Sequence, residues 1–236
     1  MSDQQQIRRA SVHGVANHFR NDCRDLRDSL QLEMVVAQYL LRMRDVVTPE
    51  GVPVGDAITG GVIAELERHG DPLSHAILRG LAHLGTGAGA QRSAEAVARL
   101  AERGVGLTAK FADVATARAV GAWRETGSES SGEYVLFVEF EHPIGPRHSL
   151  ALFVEPRHGG VAKHIALMHS MEEFDPDEPF HPSTMESLEI AAAGDLLREV
   201  LERSFGRSLD DIDDYRVVIA SARAGAMDQE GAAARP

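Results

Sequence analysis

The 236-residue chain has one cysteine, two lysines and few aromatic residues, which make up only 5% of the sequence. A single cysteine, Cys23, cannot form an intramolecular disulfide framework or a cysteine-based zinc cluster. No stretch reaches the roughly 18–20 uninterrupted apolar residues that a membrane helix needs. Residues 1–9 also lack the apolar core of a secretory signal. These absences predict a cytoplasmic protein that does not enter a membrane.

Positive charge is scarce as well. The 24 Lys and Arg residues are outnumbered by 36 Asp and Glu residues, and the formal net charge is −12. Because phosphate neutralisation needs a basic face, this balance predicts no binding to nucleic acid or to anionic membrane surfaces. Several arginines do lie near the N-terminus, but Asp22, Asp25 and Asp28 are interleaved with them, which is typical of a salt-bridged helix.

Residues 1–126 carry apolar side chains at helical spacing, which predicts a bundle of short antiparallel helices. One helix is predicted from Leu26 through Met43. Gly70 ends another, and Asp71-Pro72 begins the next with an N-cap residue and a proline in the preferred order. The spacing of Phe111, Val114, Val120 and Trp123 predicts a further helix over about residues 109–126.

The segment GSESSG at residues 127–132 is predicted to be a linker, because the apolar period changes after it from 3.6 to 2. Residues 133–225 then contain three predicted strands, at 133–141, 148–155 and 161–169, separated by Pro- and Gly-containing turns. The third segment also fits a short helix. Ser183 with Glu186 is a capping-box pattern that predicts the start of a long C-terminal helix. Residues 215–224 fit either a helix or a fourth strand, and residues 226–236 are predicted to be disordered.

The fold prediction is therefore α+β, with an N-terminal helical bundle, a three-stranded antiparallel meander and a long C-terminal helix. A simple loop at residues 156–160 would place Val154 opposite Ala162, Leu152 opposite His164 and His148 opposite Met168. In that register Lys163 lies opposite Phe153 and diagonal to Glu155. Glu155 and Lys163 then form either a cross-strand ion pair or part of a site.

Six of the eleven histidines fall between residues 142 and 181, beside several carboxylates. Imidazole and carboxylate groups together are typical metal ligands, but no recognised ligand spacing such as H-E-x-x-H is present. The candidate metal ligands are His158, His164 and His169, and the cofactor stays open. No G-x-S-x-G elbow or phosphate-binding loop is present either.

The segment around the second predicted hairpin resembles a family of uncharacterised proteins from high-GC Gram-positive bacteria. Residues 147–150 (RHSL), 154–155 (VE) and 159–164 (GGVAKH) are similar to its pattern of E-H-x-L, a strand and V-D-H-N-L-G-G-x-A-K-D. Residues 32–36 look like its opening helix. This sequence has Glu155-Pro156 where the pattern has Asp-His, and His164 where it has Asp. The resemblance implies a shared fold and draws attention to residues 147–165, but it implies no activity.

Two functional hypotheses follow. The first is a non-catalytic interaction or regulatory protein, whose helical half binds a protein partner; self-association is an open alternative. The second is an enzyme or a small-ligand or metal-binding protein with its site at the 155–164 hairpin. Its candidate catalytic residues are Glu155, Lys163 and His164, and its candidate ligand-binding residues are His148, His158, Gly159, Gly160 and Lys163.

Overall fold

A computed structural model describes residues 3–44, 46–48, 50–126, 132–156, 159–168, 184–204 and 215–233. The chain divides into two compact units, residues 1–115 and 116–236. The predicted linker at 127–132 lies almost wholly outside the described residues. Helices and an antiparallel sheet are both present, so the α+β prediction is confirmed. In the described ranges, no helix is long and apolar enough to cross a membrane.

The first unit is built from five helices. They are α1 (Asp3–Arg24), α2 (Ser29–Arg44), α3 (Gly55–His69), α4 (Pro72–Leu84) and α5 (Gly87–Glu102). Gly70 ends α3 in the left-handed region at φ 61°, and the Asp71 carboxylate caps α4 by accepting from the Ser74 amide at 2.8 Å. Fully buried aliphatic side chains from these helices form the core, among them Leu32, Val36, Leu66, Ile77, Leu78 and Leu100.

The chain that follows α5 holds the first two helices together. The Lys110 ammonium donates to the Arg24 carbonyl at 2.9 Å and to the Leu26 carbonyl at 2.7 Å, at the turn between α1 and α2. Ala115 has a left-handed φ of 65°, and its amide donates to the buried Glu33 carboxylate on α2 at 2.9 Å. These contacts fix the α1–α2 hairpin against the end of the first unit.

The helix predicted over about residues 109–126 is wrong. Residues Ala109–Phe111 form a single 3-10 turn, and Arg118–Thr126 form the first strand, β1. Alternate residues of this strand bury Ala122 in the core and place Trp123 on the opposite face. Gly121 makes room for the indole, because a Cβ there would lie 2.3 Å from Cη2 of Trp123. The large apolar side chains of residues 109–126 matched the spacing of a helix only because the strand positions between them carry small residues.

The second unit is a five-stranded antiparallel sheet with strand order β4-β3-β2-β1-β5. The remaining strands are β2 (Tyr134–Glu141), β3 (Arg147–Glu155), β4 (Val161–Met168) and β5 (Thr184–Ser187). The three predicted strands are present, but the predicted meander lacked β1 and β5. The capping-box prediction is wrong, because Glu186 lies in β5 and pairs with Arg124 of β1 at 2.6 Å.

Two helices, rather than one, follow the sheet and cover one of its faces. They are α6 (Ile190–Ser204) and α7 (Tyr215–Ala233). Residues 215–224 are therefore helical, and the helix continues into the segment predicted to be disordered. The core between these helices and the sheet is aliphatic, with Leu136, Val138, Leu150, Leu152, Leu197, Val200 and Ala220 buried.

Candidate functional site

The two glycines of the predicted hairpin site are explained by the turn itself. Gly159 and Gly160 have φ values of 88° and 75°, which favour glycine. Their amides donate to the carbonyls of Pro156 at 2.9 Å and Glu155 at 3.2 Å, so both are used inside the turn. The Arg203 guanidinium of α6 lies against this turn, 3.4 Å from the Gly159 carbonyl. The glycines therefore do not present bare amides for a ligand.

A β-bulge changes the predicted register of the hairpin. Val154 lies opposite Ala162 as predicted, but the next pair is Phe153 with His164, which leaves Lys163 as the extra residue. The pairings of Leu152 with His164 and of His148 with Met168 are therefore wrong, since each partner moves by one position. The shift places the buried Ile165 opposite Leu152 and leaves His164 exposed.

Lys163 lies in an ion-pair network on the sheet surface. Its ammonium is 2.9 Å from the Glu155 carboxylate and 3.3 Å from the Glu133 carboxylate, and its side chain is half exposed. Hydrogen bonds to Glu155 and then to Glu133 raise the pKa of Lys163 above its ordinary value. A lysine that is always protonated cannot act as a general base. It could bind an anion only in competition with these two carboxylates.

His164 and Phe153 lie side by side on the same surface. Their ring centroids are 5.7 Å apart, and 41% of the Phe153 side chain is exposed. His158 and His169 lie outside the described residues. Among the residues that the structure describes, no group of three or more His, Cys, Asp or Glu side chains could hold a metal ion. The metal prediction for these histidines gains no support from the geometry.

His148 is far from the hairpin. It lies seven residues before Glu155 on β3, a separation of roughly 23 Å along the strand. Its side chain is fully buried, where its Nε2 is 3.4 Å from Nε of Arg223 and its ring stacks on Phe140 at 5.6 Å. Arg223 is also buried and lies 3.4 Å from Nε2 of His142. Burial, followed by the charge of Arg223, lowers the pKa of His148 well below its ordinary value.

This buried cluster has a structural role in the packing of α7 on the sheet. Arg223 also lies over the Phe140 ring, 5.6 Å from its centroid, which joins the cation to the aromatic residue of β2. His148, a predicted ligand-binding residue, is therefore part of this cluster, and Arg223 was not predicted. The histidine and the arginine are 75 residues apart, and no local motif connects them.

The helical unit contains a feature that the sequence analysis did not identify, a groove of about 460 Å³ between α1 and α2. Its lining is mostly apolar and repeats at helical spacing on both helices. We call it the α1–α2 groove. It is lined by Gly14, Val15, His18, Phe19 and Asp22 of α1 and by Val35, Gln38, Tyr39, Arg42 and Met43 of α2. The helical spacing of these apolar residues predicted the bundle but not the groove.

Two stacked aromatic rings close the inner side of the groove. Phe19 and Tyr39 lie 4.3 Å apart with an interplanar angle of 9°, and both are almost fully buried. Burial raises the pKa of Tyr39 to about 12, so its hydroxyl stays protonated. Next to them, His18 and Asp22 form a contact of 3.6 Å. The groove therefore combines a rigid aromatic base with a few polar groups along its edge.

Comparison with known proteins gives no identity. No protein-family model matches the chain, and neither a curated protein nor a solved structure is significantly similar to it.

Proposed function

We propose that this is a non-catalytic interaction or regulatory protein that binds an amphipathic helix of a protein partner in the α1–α2 groove. The observation that supports this proposal is the groove itself. It is lined by apolar side chains at i, i+4 spacing on both walls. Val15 on α1 and Val35 on α2 are half-buried, and Phe19 and Tyr39 form its almost fully buried base. Apolar grooves between helices accept helical segments through anchors with the same spacing.

The charges in the groove specify the partner further. Asp22 already contacts His18, whereas Arg42 is exposed and makes no ion pair within the described residues. A carboxylate on the partner helix would therefore complement Arg42. The net charge of −12 favours a partner that is otherwise neutral or basic. The partner is thus an amphipathic helix with apolar anchors, one acidic residue facing Arg42 and no overall negative charge.

The alternative function, a catalytic or ligand site at the 155–164 hairpin, has weaker support. Both carboxylates near Lys163 engage its ammonium, and the turn amides are used within the turn. A catalytic lysine would have to be released from this network before it could bind a substrate. The geometry of the groove needs no such rearrangement.

The experiment fills the groove without disturbing the fold. A Cβ at Gly14 would meet no atom within 4 Å, so Gly14→Leu places a side chain in the groove and also increases helix propensity. Gly225→Leu in α7 is the matched control, because a Cβ at Gly225 also meets open space but lies outside the groove. Affinity-tagged wild type and both variants are used to capture proteins from the native lysate, with quantification by mass spectrometry.

We expect the wild type and the Gly225→Leu variant to capture the same partner in equal amounts. The Gly14→Leu variant should capture at least about tenfold less of it. Arg42→Glu should weaken the same partner. Capture that is equal for all three proteins, or no specific partner together with a monodisperse monomer, would refute the proposal. Retention of an untagged copy of this chain alone would assign the groove to self-association.

A further inference from the structure

Helix α1 carries a second functional surface on its other side, formed by His13, Asn17 and Arg20. We call these three residues the polar stripe. His13 Nδ1 is hydrogen-bonded to the Glu65 carboxylate of α3, and Asn17 Nδ2 donates to His13 Nε2 at 2.9 Å. The Arg20 guanidinium binds the Asp71 carboxylate. None of these residues lines the α1–α2 groove, so the inference that follows does not depend on the proposed function.

Glu65 is held in place from its other side. The Arg68 guanidinium donates to both of its oxygens, from Nε at 3.0 Å and from Nη2 at 2.7 Å. A carboxylate fixed in this way places the proton of a neutral His13 on Nδ1, and the lone pair then lies on Nε2. It also stabilises positive charge that develops on the ring during attack. Arg68, Glu65 and His13 therefore form a chain that orients and activates an imidazole nucleophile.

His13 is accessible as well as oriented. Its side chain is 51% exposed, and Nε2 accepts a hydrogen bond from the Asn17 amide. Two other histidines of the helical unit, His75 and His18, each lack one part of this combination. His75 is also held through Nδ1, by the Val105 carbonyl at 2.7 Å, but it is buried. His18 is 76% exposed, but its nearest carboxylate, Asp22, is 3.6 Å from Nε2 and leaves Nδ1 unconstrained.

Two guanidinium–carboxylate pairs lie around His13, Arg68 with Glu65 and Arg20 with Asp71. The His13 ring stacks on His69 at 6.4 Å, and His69 Nδ1 is 3.1 Å from the Arg20 guanidinium. Nε of Arg20 and Nε2 of His69 are buried, so neither can reach a group that approaches His13 from solvent. The Asn17 amide, which donates to Nε2 at the surface, can turn to an oxygen of the incoming group. A hydrogen-bond donor beside a nucleophile suits a phosphoryl group better than a neutral acyl group.

We propose that His13 is a phosphoryl-acceptor site, modified on Nε2 by a donor of the phosphoramidate class. The Nε2 lone pair forms the new N–P bond while the P–N bond of the donor breaks. The donor nitrogen is protonated in the zwitterionic form of a phosphoramidate, so it takes the electrons of that bond and leaves as a neutral amine. The Nδ1 proton stays on the ring in its hydrogen bond to Glu65, and the carboxylate offsets the positive charge of the phosphorylated imidazole.

The test uses the full chain and potassium phosphoramidate as the donor. Labelling is followed over time by intact mass, and each histidine is assigned by peptide mapping under conditions that preserve acid-labile phosphate. His18 is the internal reference, because it lies on the same helix and is more exposed than His13. The variants are Glu65→Gln, which keeps an oxygen near Nδ1 but removes the charge, and Arg68→Gln, which leaves Glu65 in place.

We expect His13 to be labelled at least about tenfold faster than His18, and Glu65→Gln to remove most of this advantage. In metal sites, loss of the hydrogen-bonded partner of an imidazole ligand costs roughly 10–100-fold in metal affinity or activity, and we expect an effect of similar size here. Arg68→Gln should have a smaller effect, and the rate at His18 should stay constant. Equal labelling of His13 and His18 in the wild type would overturn the proposal. So would an unchanged His13 rate in a folded Glu65→Gln variant. If that variant does not fold, the wild-type ratio of the two rates decides.

Discussion

The sheet unit should lose stability as the pH falls below 6.5, and His148 is the cause. This side chain is fully buried, next to Nε of Arg223 at 3.4 Å. Burial, then the charges of Arg223 and His142, place its folded-state pKa well below the ordinary value of 6.5. In the unfolded chain the same imidazole titrates near its ordinary value. Below pH 6.5 the unfolded state therefore binds a proton that the folded state does not.

The sign and size of the effect follow from this difference. Stability is at its full value above pH 6.5, and it decreases by about 1.4 kcal/mol for each pH unit below it until the folded-state pKa is reached. While the folded-state imidazole stays neutral, the loss at pH 5.5 is about 1.4 kcal/mol. This is a measurable part of the 5–15 kcal/mol that is typical of a folded domain.

The assay is urea denaturation at a series of pH values, followed by fluorescence. Trp123 is the only tryptophan in the sequence and lies in β1, so its emission reports the sheet unit. The comparison is His148→Gln, because glutamine can still accept a hydrogen bond from Arg223 but does not titrate. The wild type should show the steeper pH dependence between pH 6.5 and about pH 5. Equal slopes for the two proteins, or greater wild-type stability at the lower pH, would refute the reasoning.

Two further predictions concern the same unit. Gly121→Ala should destabilise the sheet unit by about 1–3 kcal/mol and shift the Trp123 emission, because the new Cβ would lie 2.3 Å from the indole. Gly225→Ala is the control, because its new Cβ meets nothing within 4 Å. An unchanged melting curve for Gly121→Ala would contradict the expected clash. The double variant Lys163→Ala, His164→Ala should show the same thermal shift as the wild type on addition of phosphate or zinc, since Lys163 is engaged by two carboxylates. A shift confined to the wild type would instead support a ligand site at the hairpin.

Local patterns predicted the parts of the fold that depend on neighbouring residues. Strands β2, β3 and β4 were predicted with ends within one residue of those observed, because alternation and short turns are local signals. The strands β1 and β5 pair across about sixty residues of chain, and neither alternates strongly enough to be identified alone. The bulge at Lys163 was also missed, since it depends on burying Ile165 rather than on the turn sequence.

The difference between local signals and contacts between distant residues also applies to the candidate sites. The ion pair of Glu155 and Lys163 could be predicted because both residues flank one hairpin. His13 and Glu65 are 52 residues apart, and the local sequence around a histidine in a polar helix does not indicate which residue it contacts. The only local signal was the i, i+3 spacing of Glu65 and Arg68, which is common on helix surfaces. The α1–α2 groove was missed because an apolar face looks the same in sequence whether or not another helix covers it.

Helix α1 contributes side chains to the α1–α2 groove and, on its opposite side, to the polar stripe. A guest helix that pushed α1 outward would have to stretch the contacts of His13 with Glu65 and of Arg20 with Asp71. If guest binding changes the free energy of modifying His13 in this way, the modification must change the affinity of the groove for the guest by the same factor, because coupling between two sites is reciprocal. The two proposed surfaces would then be coupled through one helix, without a change of fold.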